Sequence, residues 1–347
     1  MQEWLLAIEQ ELQKVLPPQI DNQWASRIAQ TPQLYQEPQL FGRIIAPASD
    51  LVYRGGKRWR PLLMLLNAKM LGSSEAVATA LPLTPLVELP HNGSLIVDDI
   101  EDNSDVRRGE PAVHTIWGID ISINAANLLY YLPTVLIDES ACSPQQKLRL
   151  YQTYARYMRK IHLGQGMDIV WHNQKKSLPS LEAYEAMCRM KTGCLAAMGA
   201  QFGAIIATED EQSIQDAASI GESIGLFFQM MDDIINLERG NPGKMQGDDL
   251  VENKKSLPLI LYGNKNEQTF ADLHSLYHLA RTSGYEAAQK EILHFIERLK
   301  SSGALYDSRR IALDLLDTIG KQIHRTYERS PERDYLENLL GSFAKEH

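Results

Sequence analysis

The sequence predicts an all-α fold. Apolar residues recur at helical spacing along most of the chain, and alternating strand patterns with Asn-Gly or Asp-Gly turns are scarce. No internal repeat is visible at the ~20–50 residue periods of repeat architectures. Met1–Val15 places Leu5, Ile8, Leu12 and Val15 on one face, and Pro17-Pro18 stops that helix. Pro61–Leu71 is apolar, with proline in its first turn. Leu83–Asp105 reads as one long buried helix, since strands seldom exceed ~10 residues. Ser122–Ile137, Pro144–Gly166, Leu181–Ala207 and Asp210–Leu237 continue the pattern. Ser180-Leu181-Glu182 and Asp210-Glu211 give the last two polar or acidic first turns. Beyond Lys255, Pro258–Tyr262, Glu267–Ala280, Tyr285–Ser302 and Ser308–Tyr327 read as mostly helical.

Composition narrows the class. The chain has 347 residues, 44% of them hydrophobic, enough for a large core. Length alone suits about two domains, but Pro and Gly are dispersed and nothing marks a linker. One domain over residues 1–347 is expected, with its motif-bearing core at about 50–262. A formal net charge of −9 argues against nucleic acid as a partner. Cys142, Cys188 and Cys194 fit neither a zinc site nor a disulfide framework, which points to a reducing compartment. The N-terminus has no basic region, cleavage site or long apolar core. No run approaches ~18 consecutive apolar residues. No membrane span and a cytoplasmic location are therefore expected.

Two acidic clusters carry the chemistry. Asp98-Asp99-Ile100-Glu101-Asp102 and Asp232-Asp233-Ile234-Ile235-Asn236 each end an apolar stretch. Carboxylates repel one another and resist burial unless neutralised. On a helix, residues four apart share a face, so Asp98 and Asp102 point the same way, with Asp105 a further turn along. Asp232 and Asn236 repeat that geometry. Were the two helices to face each other, their oxygens would line one rim. Magnesium takes oxygen ligands and is usually held by one or two carboxylates plus substrate phosphates. A single cluster reads equally well as a solvated acidic face; two, each behind an apolar run, favour metal and phosphate.

Basic residues complete the inventory. Gly55-Gly56-Lys57-Arg58-Trp59-Arg60-Pro61 opens a helix, where backbone N–H groups and the dipole favour anions. Arg107-Arg108 follow the first acidic cluster, Lys191-Thr192 sit after an Arg/Met turn, and Lys244 and Lys254-Lys255 follow the second. Either basic run alone would more often be ordinary surface. Together they fit two anionic substrates, one metal-bound and one clamped by Lys and Arg.

These motifs resemble those of the trans-isoprenyl diphosphate synthases. DDIEDNSDVRRG is similar to that family's first aspartate-rich motif, and GGKRWRP to its homoallylic-substrate motif. GQGMDIVW (Gly164–Trp171), KTG (Lys191–Gly193), FFQMMDD (Phe227–Asp233) and GDDLVENKKSLP (Gly247–Pro258) follow in the family's order. The resemblance covers Gly55 to Pro258 and is greatest to eukaryote-type geranylgeranyl diphosphate synthases. They share the wording of His91–Gly109, Ile123–Asn127 and GQGMDIxW. Most members end the second motif in Asp, where this chain has Asn236; the eukaryote-type enzymes also carry Asn there.

The resemblance implies an isoprenoid-synthase-type helical bundle around a central substrate cavity, acting as a homodimer or larger homo-oligomer. It implies about three Mg²⁺ per active site, held by Asp98, Asp102 and Asp232. Arg107, Lys191, Thr192, Gln229, Asn236, Lys244 and Lys254 would hold the allylic diphosphate and its metals. Lys191 and Lys254 join the three aspartates as catalytic candidates. Lys57, Arg60, His91 and Arg108 would hold isopentenyl diphosphate, although His91 on an apolar helix also reads as a core histidine. Asp99 and Asp249 would orient ligands from behind. The expected reaction is ionisation of the allylic diphosphate, attack by isopentenyl diphosphate, and proton loss.

Product length is expected to depend on the space below Asp98. Gly93 and Ser94 lie about one turn before it, roughly 6–8 Å along the axis, and neither is a bulky aromatic. Tyr130, Tyr131 and His162 are the candidates for a deeper floor, which points to geranylgeranyl diphosphate, C20. Farnesyl or longer products are the alternative. A class I terpene cyclase would carry Ser/Thr at Asn236 and Glu at Gly240, and would have no need of GGKRWRP. A non-catalytic synthase subunit would lack the first cluster and carry CxxxC, whereas Cys188 and Cys194 have other spacing.

Overall fold

The structure is a computed structural model, and it describes residues 1–30, 38–173, 177–240, 245–264 and 269–345. The described residues are almost wholly helical, as the periodicity predicts. The chain opens with α1 (Gln2–Val15), α2 (Asn22–Ala29), α3 (Pro38–Tyr53), α4 (Trp59–Leu71), α5 (Ser74–Ala80) and α6 (Pro85–Asp102). A short antiparallel hairpin, β1 (Val106–Arg107) and β2 (Glu110–Pro111), pairs Val106 with Pro111 and Arg107 with Glu110. Then come α7 (Val113–Trp117), α8 (Ile119–Tyr131), α9 (Val135–Glu139) and α10 (Pro144–Asn173). They are followed by α11 (Leu181–Cys188), α12 (Cys194–Ala207), α13 (Glu211–Glu238), α14 (Asp248–Val251) and α15 (Leu257–Gly263). The chain closes with α16 (Thr269–Ser283), α17 (Tyr285–Ser301), α18 (Ala304–Thr326) and α19 (Pro331–Lys345).

The chain forms two compact units. One is Met1–Met158 with Met198–Ala218; the other is Arg159–Ala197 with Ser219–His347. In the first unit, α1 buries Ile8, Leu12 and Val15 as its spacing predicts, and each such side chain contributes about 2 kcal/mol. Tyr53 donates its hydroxyl to the Leu16 carbonyl, and Trp24 Nε1 donates to the Val15 carbonyl at 2.8 Å. Helix α4 is buried from Pro61 to Ala68. Helices α6 and α8 pack on each other because Gly93 removes the side chain at their crossing. A Cβ there would stand 2.8 Å from the Ala126 carbonyl oxygen.

Several boundaries differ from the sequence reading. Helix α6 stops at Asp102 rather than Asp105, because Asn103 turns left-handed (φ 54°) and caps it. Proline 133 divides Ser122–Ile137 into α8, a 3₁₀ turn at Leu132–Thr134, and α9. Helix α10 continues past Gly166 to Asn173. Leu181–Ala207 is interrupted by a π turn at Arg189–Gly193. The expected caps hold: the Ser180 side chain accepts from Ala183 N, and Asp210 from Ser213 N. Leu181–Ala207 also has the length and hydropathy of a membrane crossing, with a mean of 1.2, but 78% of its richest window is buried inside the protein. That burial marks it as a core helix.

Candidate active site

In the first unit the site is built on α6. His91, Ser94, Asp98 and Asp102 are half-buried, and their spacing of three, four and four sets them in one stripe along the helix. The two aspartates therefore share a face, as their spacing predicts, while Asp105 lies beyond the helix end. Asp99 turns inward and is 0% exposed. Arg107 grips it, Nε donating to Oδ1 at 2.8 Å and Oδ2 at 3.1 Å, with Nη2 donating to Oδ1 as well. Nη2 of Arg107 also stands 3.6 Å from Asp98 Oδ2. The hairpin carries Arg107 to this place, and Arg54 holds the hairpin, donating Nη1 to the carbonyls of Arg107 (3.1 Å) and Pro111 (2.8 Å).

Beside this stripe lies a cationic cluster. Arg60 Nη1 is 3.3 Å from His91 Nε2. Burial, and then the charges of Arg60, Arg108, Arg107 and Arg58, hold the His91 imidazole well below its ordinary pKa, so it is neutral. Arg108 donates to the Leu51 carbonyl at 2.9 Å and, among the described residues, bridges to no carboxylate. Burial, with Arg58, Arg107 and Arg54, pushes Arg108 down to about 10, against the opposing pull of Glu88. Cations that depress one another in this way are relieved by an anion. Lys57 is exposed at the edge of the same loop.

The chain-length candidates separate. A Cβ on Gly93 would also lie 3.0 Å from Tyr130 Cε1, so those two residues meet directly. Tyr130 is 7% exposed, and burial, with Glu101 and Asp98 nearby, raises its hydroxyl pKa. Ser94 donates Oγ to the His91 carbonyl at 2.8 Å. Tyr131 is 72% exposed, because adjacent helical residues diverge by ~100°. His162, in the second unit, is exposed as well.

In the second unit, Lys191 and Thr192 sit in the π turn, a distortion that recurs at functional sites. Main chains touch there without side chains between them. A Cβ on Gly164 would be 2.4 Å from Lys191 N, and one on Gly225 would be 2.6 Å from Gly193 Cα. Lys191 Nζ is 2.6 Å from Asp168 Oδ2, and His172 Nε2 is 2.9 Å from Asp168 Oδ1. Burial alone would raise Asp168, but Lys191 and His172 hold it well below the usual carboxylate range. Thr192 donates to Gln229 Oε1 at 2.7 Å, and Gln229 Nε2 donates to Asp233 Oδ1 at 2.8 Å. Asp233 Oδ2 accepts from the Tyr184 hydroxyl (2.7 Å) and Leu257 N (2.9 Å), while burial pushes its carboxyl up to about 6. Asp233 is thus an internal strut, and its neighbour Asp232 is exposed.

Asn236 is 0% exposed, and its Oδ1 accepts from Asp249 N at 3.3 Å, securing α14. Its Nδ2 is buried without a hydrogen-bond partner among the described residues. Lys254 Nζ pairs with Glu252 Oε2 at 2.5 Å. Lys244 lies outside the described residues. The sequence points to no individual role for Asp168, Arg58 or Lys255, although Arg58 and Lys255 stand in its basic runs. Asp168 had a signal, standing four residues before His172 inside GQGMDIVW. Lys255 is 3% exposed, and burial pushes its amine down to about 8.

A family model described as polyprenyl synthetase matches residues 43–296. The chain belongs to that family. It is 31% identical over 305 residues to a geranylgeranyl pyrophosphate synthase of Geoglobus acetivorans, covering 88% of this chain and 90% of the relative. It is 35% identical over 229 residues to a geranylfarnesyl diphosphate synthase of Aeropyrum pernix, covering 64% of this chain and 71% of the relative. The fold matches the crystal structure of geranylgeranyl pyrophosphate synthetase from Pyrococcus horikoshii at a TM-score of 0.82, with 25% identity over 99% of this chain and 98% of that one. Polyprenyl synthetases use magnesium in catalysis. The donors of this polyprenyl synthetase fit that ion. Asp98 and Asp102 offer oxygens on one face of α6, and oxygen donors of that kind suit magnesium, which keeps waters and takes substrate phosphates as further ligands.

Proposed function

We propose that this enzyme condenses isopentenyl diphosphate with an allylic diphosphate, farnesyl diphosphate as the preferred primer, to give geranylgeranyl diphosphate. The observation that carries the reading is the crowd of Arg60, Arg107 and Arg108 around a neutral His91, beside the Asp98 and Asp102 face. It is an anion site next to oxygen ligands for a hard cation. Lys57, Arg60, His91 and Arg108 hold isopentenyl diphosphate. Arg107, Lys191, Thr192, Gln229, Lys244 and Lys254 hold the allylic diphosphate, and Asn236 acts through the turn it secures. About three magnesium ions, held by Asp98, Asp102, Asp232 and substrate oxygens, neutralise the charge that gathers on the leaving diphosphate.

The allylic C–O bond breaks, leaving an allylic cation. The double bond of isopentenyl diphosphate supplies the electron pair of the new C–C bond, and the proton then lost passes to the released diphosphate. Water must be kept from the cation, and the buried apolar residues Leu86, Leu89 and Ile96 on α6 suit that task. A farnesyl or longer product is the second reading, since the Aeropyrum pernix relative is named for a longer chain. A homodimer or larger assembly belongs to the same proposal: Ile116, Ile119 and Ile123 are exposed along α7 and α8, as a partner copy would require. So does a cytoplasmic location, which suits three free, buried cysteines.

The test is incubation with Mg²⁺, labelled isopentenyl diphosphate and C5, C10 or C15 primers, followed by chain-length analysis. C20 product with the C15 primer is expected. Absence of label with every primer overturns the synthase reading, and a C15 or C25 product overturns only the chain length.

A further inference from the structure

Arg58 is the buried cation of the GGKRWRP motif. It is 3% exposed and left-handed (φ 47°), a conformation that a non-glycine residue holds only when its surroundings impose it. Its guanidinium supplies the reason. Nη1 donates to Glu88 Oε1 at 2.7 Å and Nη2 to the Val52 carbonyl at 2.6 Å. Nε donates to Glu9 Oε1 at 2.7 Å and Nη2 to Glu9 Oε2 at 3.4 Å. Glu88 in turn accepts from Asn92 Nδ2 at 3.0 Å on α6, one residue from His91. A Cβ on Gly56 would lie 3.4 Å from both Arg58 Nη1 and Arg108 Nη2, so the two guanidinium groups stand together on one side of that exposed residue. The anchored Arg58 therefore ties down the main chain between Lys57 and Arg60, and its guanidinium stands beside that of Arg108.

Glu9 is the distal end of this chain of contacts. It sits on α1, outside residues 43–296 that match the family model. Its side chain is 37% exposed and Arg58 is its partner, so a half-buried carboxylate on α1 reaches a buried cation. We propose that Glu9 is a positioning residue for the isopentenyl diphosphate site, acting through Arg58 on Lys57, Arg60 and Arg108. The inference rests on the synthase reading above.

Charge and geometry make opposite demands, and this makes the proposal decidable. Removing a carboxylate leaves the cluster more positive, which by charge alone would tighten a diphosphate. Solvent screens the charge of a part-exposed group, whereas the paired contact to Arg58 is lost outright. Geometry should therefore win.

The experiment is steady-state kinetics of the full chain with Mg²⁺, comparing wild type, Glu9→Gln and Glu9→Asp. Glu9→Gln is expected to raise KM for isopentenyl diphosphate about tenfold, as loss of one charge-assisted hydrogen bond would. KM for the allylic primer and kcat should stay at wild-type values, the melting temperature should fall only modestly, and Glu9→Asp should fall between. An unchanged or lowered isopentenyl diphosphate KM overturns the proposal. So does an equal rise of both substrates' KM together with a large fall in melting temperature, which would mark Glu9 as merely holding α1. Wild-type turnover in the same assay reports separately on the synthase reading.

Discussion

Lys191 Nζ lies 2.6 Å from Asp168 Oδ2, inside a carboxylate that His172 holds from its other oxygen. The lysine proposed to meet the allylic diphosphate is thus aimed by a buried acid on α10. Asp168→Asn keeps the shape and removes the charge. It is expected to lower kcat/KM for the allylic primer by about 10–100-fold, the cost of losing a buried charge pair. KM for isopentenyl diphosphate should not move. Initial rates with each substrate varied in turn check this.

The close approach at Gly164 leaves no room for a methyl group. Gly164→Ala would put Cβ 2.4 Å from Lys191 N, against backbone that cannot rotate away. Urea unfolding should show a loss of about 1–3 kcal/mol, and primer binding should weaken because the π turn must shift. Gly166→Ala two residues on, where nothing lies within 4 Å, is the control.

His91 gives a pH dependence with a definite sign. Its folded pKa is depressed below 6.5, first by burial and then by the arginines. Below pH 6.5 the unfolded chain therefore binds a proton that the folded chain refuses, and stability falls as pH falls. Between pH 6.5 and 5.5 the loss should approach about 1 kcal/mol, seen as a fall in melting temperature that His91→Gln lacks. Above pH 6.5 the two should run parallel.

Tyr130 and Tyr131 can be told apart. Tyr130→Ala removes the ring that touches Gly93 and should shift product beyond C20. Tyr131→Ala should leave the product unchanged, since that ring faces outward. Chromatography of labelled products with the C15 primer decides.

Asp98→Ala and Asp102→Ala should each cut turnover by about 100-fold or more. Their effect on the melting temperature should be small, because both sit on the half-buried stripe. Raising Mg²⁺ should recover part of the Asp102→Ala loss.

The helices and the acidic face could be read from sequence because both rest on local spacing. Asp98 and Asp102 stand four apart, and α1 and α13 carry a clear apolar period. Features that depend on a single residue's backbone or on a distant neighbour could not. Asn103 ends α6 by one left-handed residue. The residues Arg-Met-Lys-Thr-Gly suit an α-helix as well as a π turn, so composition alone does not announce the distortion at Arg189–Gly193. Two adjacent tyrosines look equivalent until α8 commits one face to α6. Arg58 looks like another surface cation within a basic run, and only its distant partners Glu9 and Glu88 show it to be internal.

Helix α6 has two sides with separate duties. Asp98 and Asp102 occupy one, while Gly93 meets α8 on another. With Tyr130 as the proposed limit on product length, a substitution behind the helix would alter the length of what is made without disturbing how it is made. In such a design, a lineage would vary its product by trading residues on α8 at little risk to the bond-forming step, and an engineer would do the same.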